Sequence, residues 1–109
     1  MPTNYKVLGQ SNPAATTATT LYTVPSSTQT VVSTIAVCNT GASSATYRIA
    51  IRPAGATLTT AQYIAYDTAI TANNSTMLTL GISLATTDVI TVYASNTSLA
   101  FTAFGTEIS

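Results

Sequence analysis

The sequence predicts an all-β protein: a single antiparallel β-sandwich, jelly-roll or immunoglobulin-like, of about eight short strands. Three observations carry that expectation. Thr and Ser fill about a third of the 109 residues, set among Val, Ile, Ala and Tyr, the composition of pleated, half-buried strands. Apolar residues alternate with small or polar ones in run after run, the period-two signature of a strand with two unlike faces. Turn residues separate these runs at spacings of about ten residues, which suits hairpins and sandwich loops better than helices.

The clearest run is Ala45–Arg52, where Ala45, Tyr47, Ile49 and Ile51 share one face and Thr46, Arg48, Ala50 and Arg52 the other. Thr30–Asn39 is small or apolar on both faces and reads as a central strand covered twice. Asn39-Thr-Gly-Ala-Ser-Ser joins these two runs and carries the residues of a hairpin connection. Leu21–Val24 stops at Pro25, which cannot donate to a ladder. Gln62–Tyr66 and Thr68–Ile70 flank Asp67, and Thr76–Leu80 follows the turn at Ala72-Asn-Asn-Ser. Asp88–Ala94 and Leu99–Phe104 both alternate cleanly, and Tyr5–Leu8 suits an edge strand. The best place for a helical turn is Thr59–Tyr66, where β-branched and aromatic residues limit it to one turn. No linker divides the chain, so residues 1–109 form one domain, with residues 1–20 a candidate N-terminal arm because Asn12–Thr20 is Ala/Thr-rich.

Charge is nearly absent. Lys6, Arg48 and Arg52 balance Asp67, Asp88 and Glu107, there is no His, and the net charge is zero. Three scattered cations make no phosphate-tracking stripe, so a nucleic-acid partner is not expected. Low charge also leaves little repulsion between copies, which fits a chain that works packed against neighbours. No run reaches the ~20 apolar residues of a membrane span, and Met-Pro-Thr-Asn-Tyr-Lys lacks the layout of a signal peptide. Asn73, Asn74 and Asn96 open glycosylation-type triplets, but without a secretory leader they read as turn residues. Cys38 is the single cysteine; it cannot form an intrachain disulfide, and the strand around it predicts a small buried hydrophobe.

The same scarcity bears on chemistry. Nucleophilic triads need a base, and with no His those arrangements are excluded. No catalytic, cofactor-binding or metal-binding residue is expected: three carboxylates and one thiol stand at no ligand spacing. Asp67 and Asp88 read as strand-end turn residues, and Glu107 as part of a C-terminal tail. Of the six tyrosines, Tyr47 and Tyr93 sit within alternating strands and read as packing rather than as a sugar platform. Arg48 and Arg52, four apart on one strand, project from the same outer face and are candidate partner-docking residues, since Arg pairs with carboxylates in bidentate fashion.

Several runs, taken together, resemble a group of small β-sandwich virion proteins of tailed bacteriophages, particularly those of cyanobacteria and other marine bacteria. They are Leu21-Tyr-Thr-Val-Pro with Val31-Val-Ser-Thr-Ile-Ala-Val-Cys-Asn, Tyr47-Arg-Ile-Ala-Ile-Arg-Pro-Ala-Gly, Tyr63-Ile-Ala-Tyr-Asp, the stretch from Leu78 to Ser95, and Phe101-Thr-Ala-Phe-Gly. The resemblance extends from Tyr5 to Ile108 and rests on strand–turn–strand patterns, so it implies a module more than a task. It implies a non-enzymatic virion structural protein, above all an outer capsid cement or decoration protein that binds between capsomers as a homo-oligomer, with the major capsid protein as partner. A neck, baseplate or tail-fibre component has the same expected fold, with a neck or tail protein as partner. A carbohydrate- or cell-surface-binding module is the reading from another class. The implied location is the virion, after synthesis in a reducing host cytoplasm, with Pro53–Leu58 and Asn12–Thr20 as contact loops.

Overall fold

The computed structural model describes residues 3–109, apart from the side chain of Leu80. Its eight strands are β1 (Thr3–Ser11), β2 (Thr19–Thr23), β3 (Gln29–Asn39), β4 (Ala45–Arg52), β5 (Tyr63–Ile70), β6 (Ser75–Leu84), β7 (Val89–Ala94) and β8 (Leu99–Ile108). They form two four-stranded sheets, ordered β1-β8-β3-β6 and β2-β7-β4-β5, and every strand pairing within them is antiparallel. The chain changes sheet at each connection except β4–β5. That order is the jelly roll, which decides between the two sandwich types open at the level of sequence.

The core lies between the sheets. Val32, Ile35, Val37, Leu99, Phe101 and Ala103 from the first sheet meet Tyr47, Ile49, Ile90, Val92 and Ala94 from the second, all essentially buried. Tyr47 and Phe101 interlock edge to face across the gap, with ring centroids 6.1 Å apart, an arrangement favoured by the ring quadrupoles. The sheets also close at their β1–β2 side, where Gly9 backs onto Leu21. A Cβ there would stand 2.2 Å from the Leu21 carbonyl oxygen, so only glycine permits this approach.

Four expectations change. The hairpin between β3 and β4 is not formed, because the two strands belong to different sheets. Both hydrogen-bonding edges of β3 are already taken, by β6 and β8, so the chain must cross over after Asn39. The double covering of β3 is also absent: its inward residues are buried, whereas Val31, Ser33 and Cys38 are exposed. An irregularity between Val32 and Thr34 switches the inward parity from Thr30 and Val32 to Ile35, Val37 and Asn39, which blurred the alternation. Cys38 is therefore exposed rather than buried, lying on the outer face opposite Ala100 and Ser75. Finally, Glu107 does not sit in a tail; it pairs within β8 and is buried at 8% exposure.

Other elements match their sequence signals. The strand ending before Pro25 and the edge strand around Tyr5–Leu8 are present as β2 and β1. The helical potential near Thr59 is spent in a single 3-10 turn, Thr60–Gln62, where the Gln62 side chain accepts from the Thr59 amide at 2.9 Å. The segment after β1 is tied down: the Asn12 amide donates to the carbonyls of Thr97 and Leu99, and the Thr16 amide donates to Ala94.

Asn39 anchors the crossover. It is 1% exposed, and its Nδ2 donates to the carbonyls of Ser43 at 2.8 Å and Ile70 at 3.3 Å. Its Oδ1 accepts from the Gly41 amide and the Ser98 hydroxyl, both at 3.0 Å. At a net ~1 kcal/mol for each such bond, plus the cost of orphaned partners, Asn39→Ala is expected to remove about 3–4 kcal/mol of stability. Urea unfolding monitored by tyrosine fluorescence checks this; a loss below about 1 kcal/mol would remove Asn39 from that role.

Candidate functional site

Sequence reasoning singled out Arg48 and Arg52, and β4 does place both on the outer face of the second sheet. The structure shows what holds each of them. On the neighbouring strand β5, Tyr47 pairs with Thr68 and Ile49 pairs with Ala65, so Arg48 alone stands opposite both Tyr66 and Asp67. This two-against-one bulge is made possible by Asp67 at φ 47°, a left-handed conformation that Asp tolerates better than most residues.

The bulge turns Asp67 towards Arg48, whose Nε and Nη2 donate to the two carboxylate oxygens at 2.6 and 3.2 Å. The guanidinium is also sandwiched between two rings, 4.2 Å from the centroid of Tyr66 and 4.4 Å from that of Tyr93. Tyr63 meets Tyr66 edge to face at 4.9 Å. The hydrogen bond to Asp67 raises the Arg48 pKa further, and the same bond from Arg48 lowers that of Asp67. Arg52 is held differently: it donates to the carbonyls of Ala56 at 2.7 Å and Gly55 at 3.0 Å, and reaches the Thr91 hydroxyl at 3.4 Å. It fastens the loop after β4 rather than extending into solvent.

The other charged residues are likewise engaged. Asp88 accepts from the amides of Ala54 at 2.8 Å and Ala85 at 2.9 Å, joining the β4–β5 and β6–β7 loops. Glu107 accepts from the Tyr22 hydroxyl at 2.5 Å and pairs with Lys6 Nζ at 3.0 Å, while Tyr22 and Thr30 share a hydrogen bond of 2.8 Å. This network ties β1, β2, β3 and β8 together. The three carboxylates thus stand in three separate settings: an outer face, an end loop and the space between the sheets. Among the described residues, no three Cys, Asp or Glu side chains gather as a metal site would require.

Sequence reasoning missed a surface. The outer face of the first sheet includes Tyr5, Val7, Gln10, Ala100, Thr102, Phe104, Thr106, Val31, Thr34, Ala36, Cys38 and Met77, with Ser75, Thr79 and Ser83 on β6, as the register of β1, β8, β3 and β6 requires. None of the six charged side chains lies on it. Among the described residues, five of the seven exposed large apolar side chains do: Tyr5, Val7, Val31, Met77 and Phe104. The signal is the small and apolar character of both faces of Thr30–Asn39, a pattern that by itself looks like burial within one chain.

The contact loops expected from the sequence sit at opposite ends of the sandwich. The segment Asn12–Ala18 joins the end that includes Thr97, Ser98, Thr40 and Asn73. Pro53–Leu58 belongs to the other end, with Asp88, Val24 and Thr87. The molecule measures 45 × 27 × 19 Å along its principal axes.

No protein-family model matches the sequence, and no curated protein sequence matches it. Among solved structures, the chain is similar to one from the structure of infectious bursal disease virus, Gx strain, with a TM-score of 0.51 and 14% identity. That match covers 97% of this chain and 30% of the viral one, so this chain spans about a third of its neighbour's length. At this identity the likeness shows a shared fold, the jelly roll already read from the strand order.

Glu107 gives the protein a pH dependence whose sign is set. The hydrogen bond from Tyr22 holds its carboxyl below the ordinary value of 4.5, outweighing burial, with Lys6 acting in the same direction. Its contribution is complete above that ordinary value and is lost as the pH falls through the lower folded one. Tyr22 supplies the alkaline arm: burial first, then its bond to Glu107, push its pKa from 10.0 up to about 12. Its contribution is present below pH 10.0 and fades as the pH rises towards about 12. Denaturation midpoints measured against pH are expected to fall at both extremes, and Tyr22→Phe to flatten the alkaline fall.

Proposed function

We propose that this chain is a non-enzymatic structural protein of a virion, most specifically an outer capsid cement or decoration protein of a tailed bacteriophage that binds between capsomers. One observation carries the reading. All six charged side chains are engaged in bonds within the fold, so the chain presents neutral shape and backbone edges rather than free charges. Such a surface works by burying area, at roughly 25 cal/mol per Å² less the ordering costs of association.

Two further points support it. The jelly roll is an architecture shared with viral capsid and lectin domains, and the viral chain of similar fold is consistent with the first of these. Contact loops at both ends of a 45 Å body also suit a protein that bridges two neighbours, one at each end. Repetition around symmetry axes would then turn weak single contacts into avidity. Arg48 and Arg52 keep a place as candidate docking residues, acting as a stiff Tyr–Arg–Tyr ridge instead of as free cations. The carbohydrate-binding alternative loses support from the same ridge, because Arg48 occupies ring faces of Tyr66 and Tyr93 on which a sugar would stack.

Quantitative mass spectrometry of purified particles tests the assignment. A copy number near that of the major capsid protein, or a simple fraction of it, is expected for cement. A number at the level of a portal ring would move the chain to the neck or tail, and absence from particles would overturn the virion reading. In the same particles, replacing Arg48 and Arg52 together by Ser is expected to reduce attachment with the fold intact; unchanged attachment would retire the docking ridge.

A further inference from the structure

We propose that the uncharged outer face of the first sheet pairs with the same face of a second copy of this chain, in a two-fold, sheet-on-sheet dimer. The first argument is area. Four strands of nine to eleven residues, at about 4.8 Å between strands and about 3.3 Å per residue, make a face of about 600 Å². Closing two such faces removes about 1,200 Å² in all, which reaches the range of stable, specific interfaces.

The second argument is charge. None of the described charged side chains lies on this face, so two copies meet without like-charge repulsion, and no charge pattern selects a different partner.

The third argument is shape. Along β8, β3 and the first half of β1 the bulk is gathered towards one end: Tyr5, Val7, Phe104 and Val31 are neighbours through the pairings Val7–Phe104, Tyr5–Thr106 and Val31–Thr106, while Met77 of β6 and Gln10 of β1 flank the other end beside Ala36 and Thr102. The middle and other end of β8 and β3 carry small residues, Thr102, Ala100, Ala36 and Cys38, paired as Ala36–Thr102 and Cys38–Ala100. A two-fold axis lying between the faces and perpendicular to the strands sets the bulky end of each copy over the small end of the other. Each contact then occurs twice, as an isologous interface requires. Two sheets stacked this way reproduce the packing already used inside the sandwich, about 10 Å between faces. The inward half of β3 is buried by its own chain; its uncharged outer half, with Val31, Ala36 and Cys38, is buried by the second copy.

Cys38 is a built-in reporter. It is exposed in the single chain, and in the dimer it lies beneath the bulky end of the partner, far from the partner's own thiol. The experiment combines light scattering on the purified full chain with maleimide labelling of Cys38. At hundreds of micromolar, a mass of twice 11.2 kDa is expected, with labelling slowed in proportion to the dimer present. Ala36→Lys and Phe104→Lys each place one charge on this outer face and are expected to return the mass to that of a single chain and Cys38 to full reactivity. Thr102→Lys serves the same purpose if either variant fails to fold.

A wild-type chain that stays monomeric at these concentrations overturns the proposal, as does a dimer untouched by the lysine substitutions. Cross-linking of the two Cys38 thiols by a short bifunctional maleimide overturns the arrangement, because it would require the two small ends to meet. Mass in solution reads the pairing and copy number in particles reads the virion assignment, so either one can fail without the other.

Discussion

The jelly roll depends on one buried amide. After β3 the chain has no free sheet edge beside it, and it must cross the sandwich within five residues to begin β4. Asn39 makes that crossing possible by bonding to Ser43 and Gly41 in the crossover itself, to Ile70 at the end of β5, and to Ser98 before β8. A side chain with two donors and an acceptor oxygen satisfies backbone groups of the crossover and of Ile70, together with the Ser98 hydroxyl, which water would otherwise have to reach. Buried polar groups are tolerated when every partner is met, and here the polar centre fixes the end of a sandwich whose middle is held by Tyr47 against Phe101.

Charge is used sparingly and locally. Each pair or cap closes a weak point: Lys6 and Glu107 hold the β1 edge, Asp88 joins two loops, Arg52 fastens the first of them, and the Arg48–Asp67 pair stiffens the bulge in β5. The result is a molecule whose charged side chains are all engaged within the fold, leaving wide uncharged areas on its surface. The sandwich separates them: two loop clusters at its ends, an aromatic–guanidinium ridge on one broad face, and a neutral apolar face on the other.

These two faces explain why residues that look alike in sequence act differently. Phe101 and Phe104 lie three apart in β8; the first is fully buried and the second is partly open. Tyr47 is sealed in the core while Tyr5 is almost wholly exposed. Period-two alternation separates inward from outward positions, but hydropathy ranks both phenylalanines as core. An apolar outward residue carries no mark that distinguishes a second sheet of the same chain from a second molecule.

By itself, then, the sequence determined the all-β class, the positions of most strands, and the outward placement of Arg48 and Arg52. Those follow from local rules: alternation, β-branching, Pro and turn residues, and the mere presence of ionisable groups. The tertiary structure alone decided that β3 and β4 part into different sheets, that Glu107 is buried beside Tyr22, that Asp67 turns back onto Arg48, and that Cys38 faces outward. Each of these depends on which strand occupies which edge and on where a bulge shifts the parity. Such facts join residues far apart in the chain, and no short stretch of sequence carries them.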